Sequence, residues 1–144
     1  MRIKILDPRY NDYGIVPATE QSAAIDLRAC IDQEDVLFFN DQLAVPLGIA
    51  CEVPEGCGLF LIPRSGLGTK GIVLANTVGL IDPDYRGELV AVLWNRKEKP
   101  IKISPMERIV QATLVQCHAP TVEIVEELSN TTRGLGGFGH SGRI

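Results

Sequence analysis

The stretch L-A-V-P-L-G-I-A-C-E-V, residues 43–53, is apolar and is interrupted by a proline and a glycine. Such a run favours β-structure, because proline and glycine both disfavour a helix and β-branched side chains pack well on a sheet. No window of the chain keeps the helical spacing of apolar residues over three turns. Six further short apolar runs are bounded by turn residues and are predicted strands: residues 3–6, 24–29, 59–62, 89–94, 109–115 and 122–125. We therefore predict an all-β fold, a jelly-roll-like barrel or sandwich.

The composition of the 144-residue chain is that of one ordinary globular domain, with 45% hydrophobic and 22% charged residues. Its formal net charge of −4 disfavours a nucleic-acid or acidic-membrane partner, although a few local arginines can still hold a small phosphorylated ligand. The start M-R-I-K-I-L-D-P has no signal-peptide core, so we expect a cytoplasmic protein. The cysteines show no C-x-x-C spacing and are expected to be buried free thiols rather than zinc ligands: Cys30, Cys51, Cys57 and Cys117.

The C-terminal stretch R-G-L-G-G-F-G-H-S-G-R-I, residues 133–144, contains the dinucleotide-binding pattern G-x-G-x-x-G. That interpretation fails on context, because no strand leads into the glycines and no helix can follow them. The composition changes after Leu128, where glycine and polar residues replace apolar ones. We therefore predict a β-barrel domain over residues 1–128 and a mobile C-terminal arm over residues 129–144.

A glycine-rich loop, P-R-S-G-L-G-T-K-G at residues 63–71, carries groups suited to phosphate. Arg64 offers a guanidinium fork, Ser65 a hydroxyl and Gly66 a backbone that a ligand can approach closely. The alternative is a β-connection whose charges are only solvated. Ser65 is not expected to act as a nucleophile, because no G-x-S-x-G surrounds it.

The stretch N-T-V-G-L-I-D-P-D-Y-R-G-E-L-V, residues 76–90, has two apolar arms around D-P-D-Y-R-G. We predict a β-hairpin with Asp82 and Asp84 at its bend, where Pro83 fixes one φ angle. Carboxylates in such a bend often bond only the turn backbone. Asp82 also closes an apolar run, a position from which a carboxylate can orient and deprotonate a water molecule.

Two further strands carry isolated polar residues. Asp26 stands in the otherwise apolar S-A-A-I-D-L-R-A, where an unpaired charge is costly, so it requires a charged partner or a hydrated metal ion. Arg108 and Gln111 begin the predicted strand in M-E-R-I-V-Q-A-T-L. Taken singly, each of these residues is more often part of a structural salt bridge or an exposed face than of a functional site.

Together these five stretches, in this order and spacing, resemble the five sequence motifs of the homotrimeric dUTPases. The resemblance covers residues 24–142, from S-A-A-I-D-L-R-A as the first motif to T-T-R-G-L-G-G-F-G-H-S-G as the fifth. Three positions depart from the family pattern: Ala24 and Met106 stand where the family usually has glycine, and Val110 where it has alanine. Asp26, Arg108 and Gln111 are retained, so the departures bear on local backbone geometry.

The resemblance implies hydrolysis of dUTP to dUMP and pyrophosphate, which limits uracil incorporation into DNA and supplies dUMP for dTMP synthesis. Asp82 would activate the water that attacks the α-phosphorus, and Mg²⁺ would bridge the phosphates, with Asp26 orienting one of its bound waters. The family forms homotrimers with sites shared between subunits. The implied substrate contacts are Arg64, Ser65, Gly66 and Gln111 for the phosphates, Asn76, Leu80, Ile81 and Val90 for uracil, Tyr85 for deoxyribose, and Arg133, Phe138 and Ser141 from the arm.

Two alternatives remain open. A dCTP deaminase has a related fold and nucleotide pocket but removes ammonia from the base. A non-catalytic nucleotide-sensing module on the same scaffold is expected to lack Asp82 or the arm. The D-P-D-Y stretch and the complete fifth motif favour the dUTPase.

Overall fold

The computed structural model describes residues 1–138, within which the chain forms eleven β-strands and two helices of four residues each. In chain order the elements are β1 Arg2–Ile5, α1 Tyr10–Tyr13, β2 Ile25–Arg28, β3 Asp35–Leu37, β4 Gln42–Pro46, β5 Ile49–Glu52, β6 Cys57–Pro63, α2 Ser65–Gly68, β7 Ile72–Leu74, β8 Gly79–Ile81, β9 Val90–Asn95, β10 Ile101–Ile103 and β11 Arg108–Gln116. The predicted all-β class is confirmed. In this part of the chain, no helix has the length and apolar character needed to cross a membrane.

Two antiparallel sheets enclose the core. One sheet has the strand order β2-β11-β6-β8 and the other β4-β9-β7, while β1 pairs with β5 and β3 with β10. Leu59 and Leu61 of β6 and Leu93 of β9 are at most 2% exposed and belong to one hydrophobic cluster. The inward-facing side chains of both sheets therefore share a single core, as expected for antiparallel sheets packed face to face.

The apolar run at residues 43–53 forms two strands rather than one, because the chain turns at Gly48. This glycine has φ 63°, and a Cβ atom there would collide with the side chains of Cys30 and Asp7. Only glycine fits such a crowded left-handed position without strain. The turn separates β4, which pairs with β9, from β5, which pairs with β1.

Residues 76–90 do not form the predicted hairpin. Their first arm, β8, pairs with β6, whereas their second arm, β9, pairs with β4 and β7 in the other sheet. Leu89 bonds the β4–β5 turn from both of its backbone groups: Leu47 N–H donates to its carbonyl at 2.9 Å, and its N–H donates to Ile49 O at 2.8 Å. These bonds direct the second arm away from β8, so residues 82–89 cross between the sheets.

The strand predicted at residues 122–125 is also wrong, since β11 is the last strand within the described residues. Val122 and Ile124 are 79% and 96% exposed, and no strand of residues 1–138 pairs with this segment. Its backbone hydrogen-bonding groups therefore have no partner strand within the described residues. All four cysteines are free, as predicted, but only Cys51 is buried, and Cys30, Cys57 and Cys117 are half-buried.

Candidate active site

Asp26 finds its charged partners in two arginines. Arg64 Nε donates to Asp26 Oδ1 at 2.8 Å, and Arg108 Nη1 donates to Oδ2 at 3.2 Å. The Asp26 side chain is only 15% exposed, so this pairing offsets the cost of placing a carboxylate in an apolar strand. Two guanidinium groups around one carboxylate leave a net positive charge. We call Asp26, Arg64 and Arg108 the arginine cluster.

The sheet register places Gln111 beside the arginine cluster. Gln111 of β11 pairs with Asp26 of β2 on one side and with Ile62 of β6 on the other. The three residues line one open cleft of about 370 Å³ together with Thr113 and the segment before β2. Among the described residues, Asp26 is the only charged one in this lining, and its two arginine partners, Arg64 and Arg108, lie beside the cleft and supply the donors suited to an anion.

Ser65 and Gly66 follow Arg64 in the first turn of α2, and both are exposed. A Cβ atom added at Gly66 would have no other group within 4 Å. Packing within the chain therefore does not require glycine at this position, and the backbone there is open to close approach by a ligand.

A second cleft, of about 210 Å³, lies at the end of β8 and is called the Tyr85 cleft. Its lining includes five residues that the sequence motifs indicated and two that they did not, and these are Leu80, Ile81, Asp82, Tyr85 and Val90, then Glu88 and Leu89. Tyr85 N–H donates to Asp82 O at 3.2 Å, and its hydroxyl donates to Glu88 O at 3.0 Å. In the sequence, Glu88 stands between two predicted site residues, Tyr85 and Val90. That position could have indicated that Glu88 also lines the cleft.

Asn76 lies outside the lining of the Tyr85 cleft in the single chain. Its side chain is exposed, and its carbonyl accepts bonds from Val78 N–H at 2.7 Å and from the Thr77 hydroxyl at 2.6 Å. Thr77 has φ 64°, an uncommon conformation for a β-branched residue. Asn76 precedes β8 and Asp82 follows it, so the strand separates them.

The arginine cluster and the Tyr85 cleft lie at opposite ends of β6. Ile81, the last residue of β8, pairs with Leu59 near the start of β6, so Asp82 is level with Gly58. The six residue steps from Gly58 to Arg64 span about 20 Å at about 3.3 Å each. The structure therefore does not bring these two groups of predicted site residues together within one chain.

Of the predicted arm residues, the two that the structure describes, Arg133 and Phe138, contact neither group. Arg133 Nε donates to Gly136 O at 2.8 Å within a local turn, and Phe138 is fully exposed. Ser141 lies outside the described residues. In the part of the chain that the structure describes, no three His, Cys, Asp or Glu side chains are grouped closely enough to hold a metal ion.

Comparison with known proteins gives consistent results. The dUTPase family model matches residues 14–142. A deoxyuridine 5'-triphosphate nucleotidohydrolase from Polynucleobacter asymbioticus is 44% identical over 145 residues, covering 99% of this chain and 97% of that protein. The corresponding protein of Neisseria meningitidis serogroup B is 47% identical over 144 residues, covering 99% and 96%.

Solved structures with the same fold include the Staphylococcus bacteriophage 80alpha dUTPase with dUPNHPP. It superposes with a TM-score of 0.84 at 25% identity, covering 98% of this chain and 97% of that one. A phage phi11 dUTPase variant of S. aureus, described with a structural Mg(II) ion, superposes with a TM-score of 0.77 at 19% identity over 90% of this chain and 98% of its own. The predicted jelly-roll-like architecture is confirmed.

Proposed function

Because the chain belongs to the dUTPase family, we propose that it hydrolyses dUTP to dUMP and pyrophosphate. The observation that carries the proposal is the Tyr85 cleft, which gathers five of the predicted base, sugar and catalytic residues around one cavity. Removal of dUTP limits uracil incorporation into DNA, and the dUMP formed supplies dTMP synthesis. The proposed location is the cytoplasm, where deoxynucleotides are used.

Asp82 is the proposed general base. Its carboxylate takes a proton from a water molecule as the water oxygen bonds to the α-phosphorus. The bond from that phosphorus to the bridging oxygen breaks, the electron pair leaves with pyrophosphate, and Asp82 returns its proton to solvent. The exposed position of Asp82 at the rim of the cleft leaves room for the water.

The Tyr85 cleft would select uracil and deoxyribose. Backbone groups of Leu80, Ile81 and Val90 read the base edge, so cytosine presents the wrong donor pattern. Asn76, which lies outside the lining of this cleft in the single chain, is a further proposed contact of the base. Tyr85 lies against the sugar and leaves no space for a 2′-hydroxyl group, which excludes UTP.

Arg64 of the arginine cluster would hold the triphosphate together with its neighbours Ser65, Gly66 and Gln111. Each Asp26 oxygen accepts one arginine N–H, and a carboxylate oxygen has a further lone pair for a metal-bound water. Mg²⁺ usually binds through few carboxylates together with substrate phosphates and waters, so these residues fit it. When bound, the ion neutralises phosphate charge.

Each complete site is proposed to form between the subunits of a homotrimer. The separation of about 20 Å between Arg64 and Asp82 within one chain supports this assembly, because three linked phosphates are much shorter. Residues 1–128 would form the barrel, and residues 129–144 an arm that closes over the substrate. From this arm, Arg133 and Ser141 reach the γ-phosphate and Phe138 covers the uracil.

The test is incubation of the purified protein with dUTP and Mg²⁺ in water enriched in ¹⁸O. Equal amounts of dUMP and pyrophosphate, with the label in dUMP, are expected because water attacks the α-phosphorus. Label in pyrophosphate would contradict the mechanism. Ammonia released from dCTP would identify a deaminase, and binding of dUTP without turnover would identify a sensing module.

A further inference from the structure

Glu88 lies in the Tyr85 cleft but has no part in the proposed reaction. Its Oε1 atom accepts a hydrogen bond from Gly48 N–H at 3.0 Å, while its own carbonyl accepts the Tyr85 hydroxyl at 3.0 Å. One residue thus connects the β4–β5 turn to the tyrosine that is proposed to contact the sugar.

The position of Gly48, which donates this hydrogen bond, is itself fixed by several contacts. Its carbonyl accepts two backbone bonds, from Leu6 N–H at 2.8 Å and Asp7 N–H at 3.0 Å. On its other side, the side chains of Cys30 and Asp7 leave no space for a Cβ atom. Because Gly48 is held on both sides, a group that bonds its N–H is held in place with it.

The Tyr85 ring is 45% exposed but rests against the backbone of Gly87. A Cβ atom added at Gly87 would lie 2.6 Å from the Tyr85 Cζ atom, so the ring packs directly over this glycine. The hydroxyl then reaches Glu88 O, and Leu89 is bonded to Leu47 and Ile49 just beyond. The ring position therefore depends on where the Glu88 peptide group is held.

We propose that Glu88 is a positioning residue for sugar specificity, which holds Tyr85 in place by accepting the Gly48 N–H. The inference rests on the proposed function, since it assumes that Tyr85 excludes a 2′-hydroxyl group. Glu88 needs only one acceptor oxygen for this role, and a glutamine side-chain carbonyl supplies the same acceptor at the same reach. A negative charge is not required.

The test compares kcat/KM for dUTP and for UTP in Glu88→Ala and Glu88→Gln. Loss of the bond in Glu88→Ala is expected to reduce the dUTP-to-UTP preference about tenfold, as is usual for one well-placed hydrogen bond. Glu88→Gln should keep the wild-type preference. Glu98→Ala, in an exposed loop after β9, is the matched control and should change neither value.

A double-mutant cycle separates positioning from general destabilisation. Tyr85→Phe removes the hydroxyl bond to Glu88 O, so it should reduce the preference by itself, and adding Glu88→Ala should reduce it little further. If Glu88→Ala does not fold, Tyr85→Phe is compared with the double variant Tyr85→Phe/Glu88→Gln instead. A further loss of the dUTP-to-UTP preference in that double variant would overturn the proposal.

An unchanged preference in folded Glu88→Ala, with both rates lowered equally, would also overturn it. Failure of the proposed function gives a different result, because the wild-type protein would then not hydrolyse dUTP at all. A wild type that cleaves dUTP and discriminates against UTP therefore leaves the role of Glu88 to be decided by the variants alone.

Discussion

Arg64 and Asp82 stand about 20 Å apart along the direction of β6, one beyond its last residue and the other level with its second residue. Arg64 is turned further from Asp82 by its bond to Asp26, which lies on β2 at the far edge of the sheet from β8. A single triphosphate cannot contact both groups of one chain. In the proposed homotrimer, a second copy of the chain would supply the missing group.

Replacing Asp82 with asparagine should remove catalysis while leaving binding intact. The amide keeps the shape and can still hydrogen-bond, but it cannot accept the proton from water, so kcat should fall about 10²-fold or more. Titration calorimetry with dUPNHPP should give an affinity close to that of the wild type. Near-normal turnover would exclude Asp82 as the base.

Mixed trimers test whether Arg64 and Asp82 of different chains form one site. Arg64→Ala and Asp82→Asn chains, each strongly impaired alone, are co-expressed with two different affinity tags and purified on both. Purification on both tags keeps only trimers that contain both kinds of chain, and with cyclic symmetry one of the three sites in each such trimer joins an intact Arg64 to an intact Asp82 from another chain. Activity near one third of wild type is expected. If one chain supplies both residues, mixed trimers remain as inactive as the parents.

Phe138→Ala should impair substrate use without affecting the fold. Base stacking on an aromatic ring is worth about 1–3 kcal/mol, so kcat/KM should fall roughly ten- to a hundredfold. Phe138 is fully exposed, so Tm should stay unchanged. A large drop in Tm would show that Phe138 packs into a core, and an unchanged kcat/KM would remove it from the site.

Substitutions of Met106 by glycine and by alanine are expected to differ in stability in an unusual order. Met106 has φ 58° where the family usually has glycine, and its buried side chain contacts Cys30. Both Met106→Gly and Met106→Ala lose that burial, at a cost of about 2–5 kcal/mol for a buried methionine. Only alanine also retains the left-handed strain, so the glycine variant should be more stable than the alanine variant by about 1 kcal/mol.

Urea unfolding at one fixed protein concentration measures this order, since any assembly makes stability depend on concentration. Ala44→Gly in strand β4 is the control and should be destabilising, because glycine weakens an ordinary strand. If Met106→Ala proves more stable than Met106→Gly, backbone strain at this position is not significant.

Acid should weaken the fold through Asp7. The hydrogen bonds from the Arg9 guanidinium lower the Asp7 pKa from 3.8 to about 2. Because the folded pKa lies below the unfolded one, this contribution is present above about pH 4 and is lost as pH falls toward 2. Arg9→Gln should therefore be less stable at neutral pH, and its deficit in Tm should shrink between pH 4 and 2. An equal deficit at all pH values would refute the coupling, and Asp7→Asn should show no such pH dependence.

Local patterns in the sequence were sufficient to predict several strands. The runs at residues 59–62 and 109–115 became β6 and β11, because short apolar stretches bounded by turn residues favour extended structure wherever they pack. The sequence also indicated that Asp26 needs a charged partner. An unpaired carboxylate in an apolar strand has an unfavourable desolvation free energy whatever the rest of the fold is. The motif residues around Asp82 were likewise evident from their order and spacing in the sequence.

The identity of distant partners depended on the tertiary structure. Asp26 is bonded by residues 38 and 82 positions away, and the run at residues 43–53 turns at Gly48 because Cys30 and Asp7 crowd it. The two arms of residues 76–90 join different sheets, and residues 122–125 form no strand within one chain. A strand exists only where another backbone accepts its hydrogen bonds, and that neighbour is chosen by packing of the whole chain rather than by the segment itself.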